Sequence, residues 1–143
     1  MSGSARRVVY GALGGMVGAA CMTALRLAVR RKGAIDKTVS QTAEEWLTAH
    51  LDVPIPREPA LHHALDQALH LGYGATMGAA YGLVAGRRRE TGGAGALFGV
   101  VTWLFGSWVL MPSLGAKRPP WRKSLAENAT DLGAHALYGL VTA

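Results

Sequence analysis

The stretch Val8-Val9-Tyr10-Gly11-Ala12-Leu13-Gly14-Gly15-Met16-Val17-Gly18-Ala19-Ala20-Cys21-Met22-Thr23-Ala24-Leu25-Arg26-Leu27-Ala28-Val29 decides the fold. Its one charge is Arg26, and its length matches the roughly 20 apolar residues that cross a hydrocarbon layer about 30 Å thick. Arg6 and Arg7 precede it; Arg30, Arg31 and Lys32 follow. Three more apolar stretches lie at about 64–86, 93–114 and 124–143, with basic clusters such as Arg87, Arg88 and Arg89 between them. In a chain of 143 residues they leave almost no room for a soluble core. The expectation is one all-α membrane domain over residues 1–143, a four-helix transmembrane bundle with spans at about 8–29, 64–86, 93–114 and 124–143.

Composition agrees. Hydrophobic residues make up 50 % of the chain and charged ones 17 %. The mean hydropathy is only +0.17, because glycine and alanine dilute it. A soluble helix loses about 1 kcal/mol for each interior Gly relative to Ala, whereas membrane helices use small residues to bring backbones together. The net charge of +6 sits in short clusters beside apolar runs. Positive loops flanking spans explain it, and no interleaving of aromatic and basic residues points to nucleic acid. The lone Cys21 excludes an intrachain disulfide. Gly18-Ala19-Ala20-Cys21 has the outline of a lipoprotein cleavage box, the rival reading of this first run as a cleaved signal. Gly at its first position fits poorly, and the apolar run continues to Val29, so the span is read as retained.

Helix packing is foreshadowed by glycines four residues apart: Gly11 with Gly15, Gly14 with Gly18, Gly74 with Gly78, and Gly95 with Gly99. Arg26, one turn from the end of the first span, can snorkel to the headgroups. Within 33–60, Ile35, Val39, Trp46 and Leu47 share one helical face, with Asp36, Lys37, Glu44 and Glu45 elsewhere. That predicts an amphipathic surface helix, opened by a Thr42/Glu45 capping box, before the prolines at 54, 56 and 59 enforce an extended re-entry. The third span is expected to break at Met111-Pro112, and Ser124 with Glu127 forms a second capping-box pattern. Gly11-Ala12-Leu13-Gly14-Gly15 echoes Gly95-Ala96-Leu97-Phe98-Gly99, and Tyr81-Gly82-Leu83-Val84 echoes Tyr138-Gly139-Leu140-Val141. A duplicated two-span hairpin and coincidence in a biased composition both account for these echoes, whose offsets differ.

Polar residues interrupt the second and fourth stretches at matching steps. His62, Asp66 and His70 are four apart, as are Glu127, Asp131 and His135. Each step advances about 40° around a helix, so each triplet lies on one narrow stripe. Ionisable groups inside a membrane cost about 2.5–3.5 kcal/mol each on insertion scales, which makes Asp66, His70, Glu127, Asp131 and His135 the candidate functional residues. Three readings are open. The groups hold helices together, as Glu127 already caps its helix with Ser124. They relay protons or ions. Or His70, His135 and Asp131 bind a metal, haem or another tetrapyrrole, with small glycines admitting a flat ring. No cofactor is required by the sequence. No nucleophile triad, phosphate loop or cysteine metal motif is present, so no catalytic residue is assigned and the reading leans away from an enzyme.

The stretch from His70 to His135 resembles the YagU-like bacterial inner-membrane proteins, a family described as a domain of unknown function. The resemblance is carried by His70 eleven residues before Tyr81 and by Gly95 and Gly99. Met111-Pro112 followed by Gly115, and the Pro119-Pro120 pair, add to it. The most specific part is Glu127-Asn128-x-Thr130-Asp131-x-x-x-His135. Val53-Pro54-Ile55-Pro56-Arg57 is similar to a Pro-Arg element of that family, which there follows the first span directly. Asp66 is not part of the pattern. The resemblance implies a multi-pass protein of the bacterial inner membrane and says little about activity.

Two functional classes follow. One is an accessory or structural subunit packed against other membrane helices. The other is a small oligomeric transport or proton-handling protein using the two stripes, with metal-, haem- or pigment-binding as a weaker third. In each the lipid bilayer and either a homo-oligomer or a larger membrane complex are the expected partners.

Overall fold

A computed structural model describes residues 2–30, 39–52, 54–85, 92–115 and 120–143. They form helices and no strand: α1 (Gly3–Arg30), α2 (Val39–Leu51), α3 (Pro59–Ala85), α4 (Gly92–Ser113) and α5 (Leu125–Thr142). A short 3-10 turn, Pro120–Arg122, leads into α5. The start of the expected surface helix, and the basic turn holding Arg87, Arg88 and Arg89, lie outside the described residues.

The element ends differ from expectation where proline chemistry decides them. The second long helix starts at Pro59 rather than near residue 64, because proline's fixed φ and missing N–H suit the first helical turn. α2 ends at Leu51, and Asp52 takes a left-handed φ of 50° that turns the chain away. α4 does not break at Met111-Pro112. It widens into a π-helical stretch over Phe105–Leu110, in which the Met111 N–H bonds the Gly106 carbonyl, and then continues to Ser113. Pro112 offers no N–H to the carbonyl four residues back, and the wider turn carries the helix past it. α5 opens with the expected capping box: Glu127 N–H donates to Ser124 Oγ at 3.2 Å and Ser124 N–H donates to the Glu127 carboxylate at 2.6 Å.

α1 packs antiparallel to α3 and to α5, and α4 antiparallel to α5, because rising residue numbers on one meet falling numbers on the other. Along α1 and α3, a Cβ at Gly11 would collide with the Gly78 carbonyl and one at Gly15 with the Gly74 carbonyl. A Cβ at Gly74 would lie 2.7 Å from Ala19 Cβ, and one at Gly78 would collide with the Gly11 carbonyl. Gly18 faces Tyr138 and Thr142 of α5, where a Cβ would come within 2.9 Å of both and clash. Between α4 and α5, a Cβ at Gly95 would lie 2.7 Å from the Gly139 carbonyl oxygen and one at Gly99 would collide with the His135 carbonyl. α3 and α4 meet through larger groups, Tyr81 against Phe98 with ring centroids 4.5 Å apart. The core is thin: Ala19, Met22, Ala134 and Tyr138, backed by Leu25, Leu71, Met77 and Phe98.

Two of these helices are long and apolar enough to cross a membrane, Gly3–Ala28 and Gly92–Ser113. Only 28 % and 22 % of their apolar windows are buried. α3 and α5 fall short of that measure; they carry Asp66, Glu127, Asp131 and the histidines. The first echo has a structural counterpart, since Gly11 and Gly15 lie against Gly78 and Gly74 as Gly95 and Gly99 lie against Gly139 and His135. The second does not share that register. Tyr81 follows its contact glycine Gly78, whereas Tyr138 precedes Gly139, a displacement of about one helical turn.

Candidate functional site

The polar stripes of α3 and α5 converge on a residue of α1. Arg26 sits on the buried face that Gly15, Gly18 and Met22 also occupy. Its Nη2 lies 3.5 Å from Asp131 Oδ1, and Lys123 Nζ lies 3.0 Å from Asp131 Oδ2. All three side chains are largely buried, between 14 % and 16 % exposed. Asp66 is buried and acts electrostatically on the same guanidinium. Arg26 is therefore not a lone headgroup anchor: Asp131 pairs with it and Asp66 acts on it electrostatically. A guanidinium stays charged at any working pH, and burial without partners would be prohibitive.

The two histidines flank this cluster and feel one another as well as Arg26. His70 donates from Nε2 to the Ala19 carbonyl of α1 at 3.3 Å. His135 donates from Nδ1 to the Asp131 carbonyl, one turn back in its own helix, at 2.7 Å. Tyr138 adds a third link, its hydroxyl donating to the Gly74 carbonyl of α3 at 2.8 Å. The Glu127 carboxylate closes the helix cap.

His62, the first residue of the α3 stripe, turns to the surface helix instead. Its Nε2 lies 2.8 Å from Glu44 Oε2, and Glu44 is only 2 % exposed. The amphipathic pattern assigned Glu44 to the polar side of α2; the fold seats it against α3. Trp46 stacks on His50 at 4.8 Å, while the Thr42 side chain lies outside the described residues.

The metal and flat-ring readings fare differently from the electrostatic ones. Among the described residues no three His, Cys, Asp or Glu side chains are grouped to hold a metal ion. His70, His135 and Asp131 do not form such a group, and Asp131 faces two cations, Arg26 and Lys123. Of the glycines near the two histidines, Gly72 and Gly133 have nothing within 4 Å of a Cβ position, whereas Gly74 and Gly99 are closed. The space beside Gly99 is filled by the His135 backbone and that beside Gly74 by Gly15 and Ala19.

Sequence reasoning missed three participants: Arg26 as the hub, Lys123 from the loop before α5, and Glu44. A signal for Arg26 was present, since it falls four residues beyond Met22 on the stripe of packing glycines. Compared with known proteins, the chain matches no family model, no curated protein and no solved structure.

Proposed function

We propose that this chain is a four-span bundle of the bacterial inner membrane that serves as an accessory structural subunit. The observation that carries the subunit reading is the use of the interior polar groups. Arg26 to Asp131, His70 to the Ala19 carbonyl and Tyr138 to the Gly74 carbonyl each tie one helix to another. Polar bonds of this kind hold membrane helices together at about 1 kcal/mol each. The packing glycines are likewise filled from within the chain. A partner therefore meets the outer surface, where α4 offers Leu97, Val101, Leu104, Phe105 and Trp108.

Membrane placement rests on exposure. A soluble core helix with the apolarity of α1 or α4 is mostly buried, and these are mostly not. Glycine contact runs along the shared length of α1 with α3 and of α4 with α5, so α3 and α5 accompany their neighbours across. Their charges then face inward, which is where intramembrane ionisable groups belong. Assignment to the bacterial inner membrane rests on the resemblance to YagU-like proteins.

Native mass in mild detergent tests the subunit role. The expected result is comigration with a larger membrane complex, or a defined oligomer. A second reading, proton handling, draws on the convergence of Asp66, His70, Asp131 and His135 around Arg26. It requires that Asp131→Asn and His135→Gln abolish proton flux in liposomes without loss of assembly. A lone protomer that conducts protons, and stops doing so in these variants, overturns the subunit role.

A further inference from the structure

Both ends of the bundle carry exposed aromatic rings beside a cation. At one end the Arg6 guanidinium stands 5.9 Å from the centre of the Tyr10 ring, and Tyr10 is 63 % exposed. At the other, Trp108 and Trp121 pack with ring centroids 5.6 Å apart, both exposed, and Arg122, next in sequence, is exposed as well. The helix register gives the separation of the two ends. Gly99 lies against His135, and Gly14 and Gly18 lie against Thr142 and Tyr138. Carried along the antiparallel helices, that register sets Trp108 level with Ala126 of α5 and with the last turn of α1. Tyr10 is about 20 residues from there, an axial distance of about 30 Å. A hydrocarbon layer has about that thickness, and amphipathic rings collect at its two boundaries. Among the described residues, no Asp, Glu, Lys or Arg between the two levels is exposed. Leu13, Val17, Leu97, Val101 and Leu104 are.

The turn at the tryptophan end is held in place from within. Pro120 is buried, its carbonyl accepts from Asn128 Nδ2 at 2.9 Å, and Lys123 is engaged by Asp131 at 3.0 Å. Those bonds fix the backbone on either side of Trp121 and Arg122 and leave both side chains exposed. Leu125, at the start of α5, is 86 % exposed. The sequence 112–124 holds Lys117, Arg118, Arg122 and Lys123 and no acidic residue. An exposed indole beside an exposed guanidinium suits the boundary between acyl chains and phosphates. The ring enters the apolar edge, and the planar guanidinium takes a phosphate through paired N–H donors.

We propose that the turn Pro120–Arg122, backed by Trp108, docks the headgroup of an anionic phospholipid, with Arg122 on the phosphate and Trp121 at the acyl boundary. The excess positive charge of the loop selects a lipid of net negative charge over a zwitterionic one. The site rests on the membrane placement given above and not on the subunit role.

Native mass spectrometry of the full chain in mild detergent, titrated with phosphatidylglycerol or with phosphatidylcholine, tests it. Phosphatidylglycerol is expected to bind several-fold more tightly. Arg122→Gln should weaken that binding about five-fold, the share of one cation at an anionic surface, with little effect on phosphatidylcholine or on the unfolding midpoint. Arg57→Gln removes an exposed cation before α3, outside the turn, and should leave the preference intact. Equal affinity for the two lipids overturns the site. So does equal weakening by Arg57→Gln and Arg122→Gln, the behaviour of a diffuse surface charge, or loss of the preference in Arg118→Gln but not in Arg122→Gln. The membrane placement fails separately: release of the chain by an alkaline carbonate wash ends that reading and the site with it. A chain that stays in the pellet but shows no lipid preference loses only the headgroup site.

Discussion

Removing the Asp131 carboxylate is the most searching perturbation of the charged cluster. In Asp131→Leu, Lys123 can swing toward water, but Arg26 is fixed on the buried face of α1 and, among the described carboxylates acting on it, keeps Asp66. Breaking a fully buried ion pair costs about 3–5 kcal/mol, chiefly because a charge is left uncompensated. The pair here is 14–16 % exposed, its closest approach is 3.5 Å, and Asp66 remains. The lower part of that range applies, about 2–3 kcal/mol. For a chain of 143 residues this corresponds to a midpoint lower by roughly 5–10 °C. The comparison is Leu140→Ala, a residue 48 % exposed on the outer face of α5, for which about 1 kcal/mol or less is expected. The assay is thermal unfolding in one detergent followed by circular dichroism, completed as a double-mutant cycle with Arg26→Met. Because an apolar pair replaces a buried ion pair at little cost, the double variant should recover at least half of the loss seen in Asp131→Leu. Two results refute the reasoning: Asp131→Leu matching Leu140→Ala, or additive single losses in the double variant. Either one means that Arg26 is not held by Asp131.

Three further outcomes are expected. Gly99→Ala should destabilise strongly, since its Cβ would collide with the His135 carbonyl, while Gly133→Ala, with nothing within 4 Å, should be neutral or stabilise by up to about 1 kcal/mol; paired melts check the contrast. Ser124→Ala removes the hydroxyl that accepts from Glu127 N–H and should cost about 1 kcal/mol, read from the same melts. The protein should stay in the membrane pellet through an alkaline carbonate wash, and appearance in the supernatant would end the bundle reading.

Helical class, the four long segments and the α5 cap were legible because each depends on local information: apolar run length, the absence of strand alternation, and a Ser and Glu three residues apart. Glycines four residues apart marked the packing faces, since only a missing Cβ allows backbones so close. What sequence could not contain was the partner of each face. Gly15 meets Gly74 and Gly99 meets His135 only once the chain has turned back on itself. Arg26 shows the limit most clearly. One turn from the end of an apolar run it has the signature of a snorkelling residue, and its inward course depends on Asp131, more than a hundred residues away. The same holds for Glu44, which is polar-facing by helical periodicity and buried by contact with His62. The π turn in α4 is intermediate: Pro112 announces a defect, but whether the helix breaks or widens depends on what packs beside Gly106. Periodicity places a side chain on a face of its own helix; only tertiary contact decides whether that face meets lipid, water or an opposite charge.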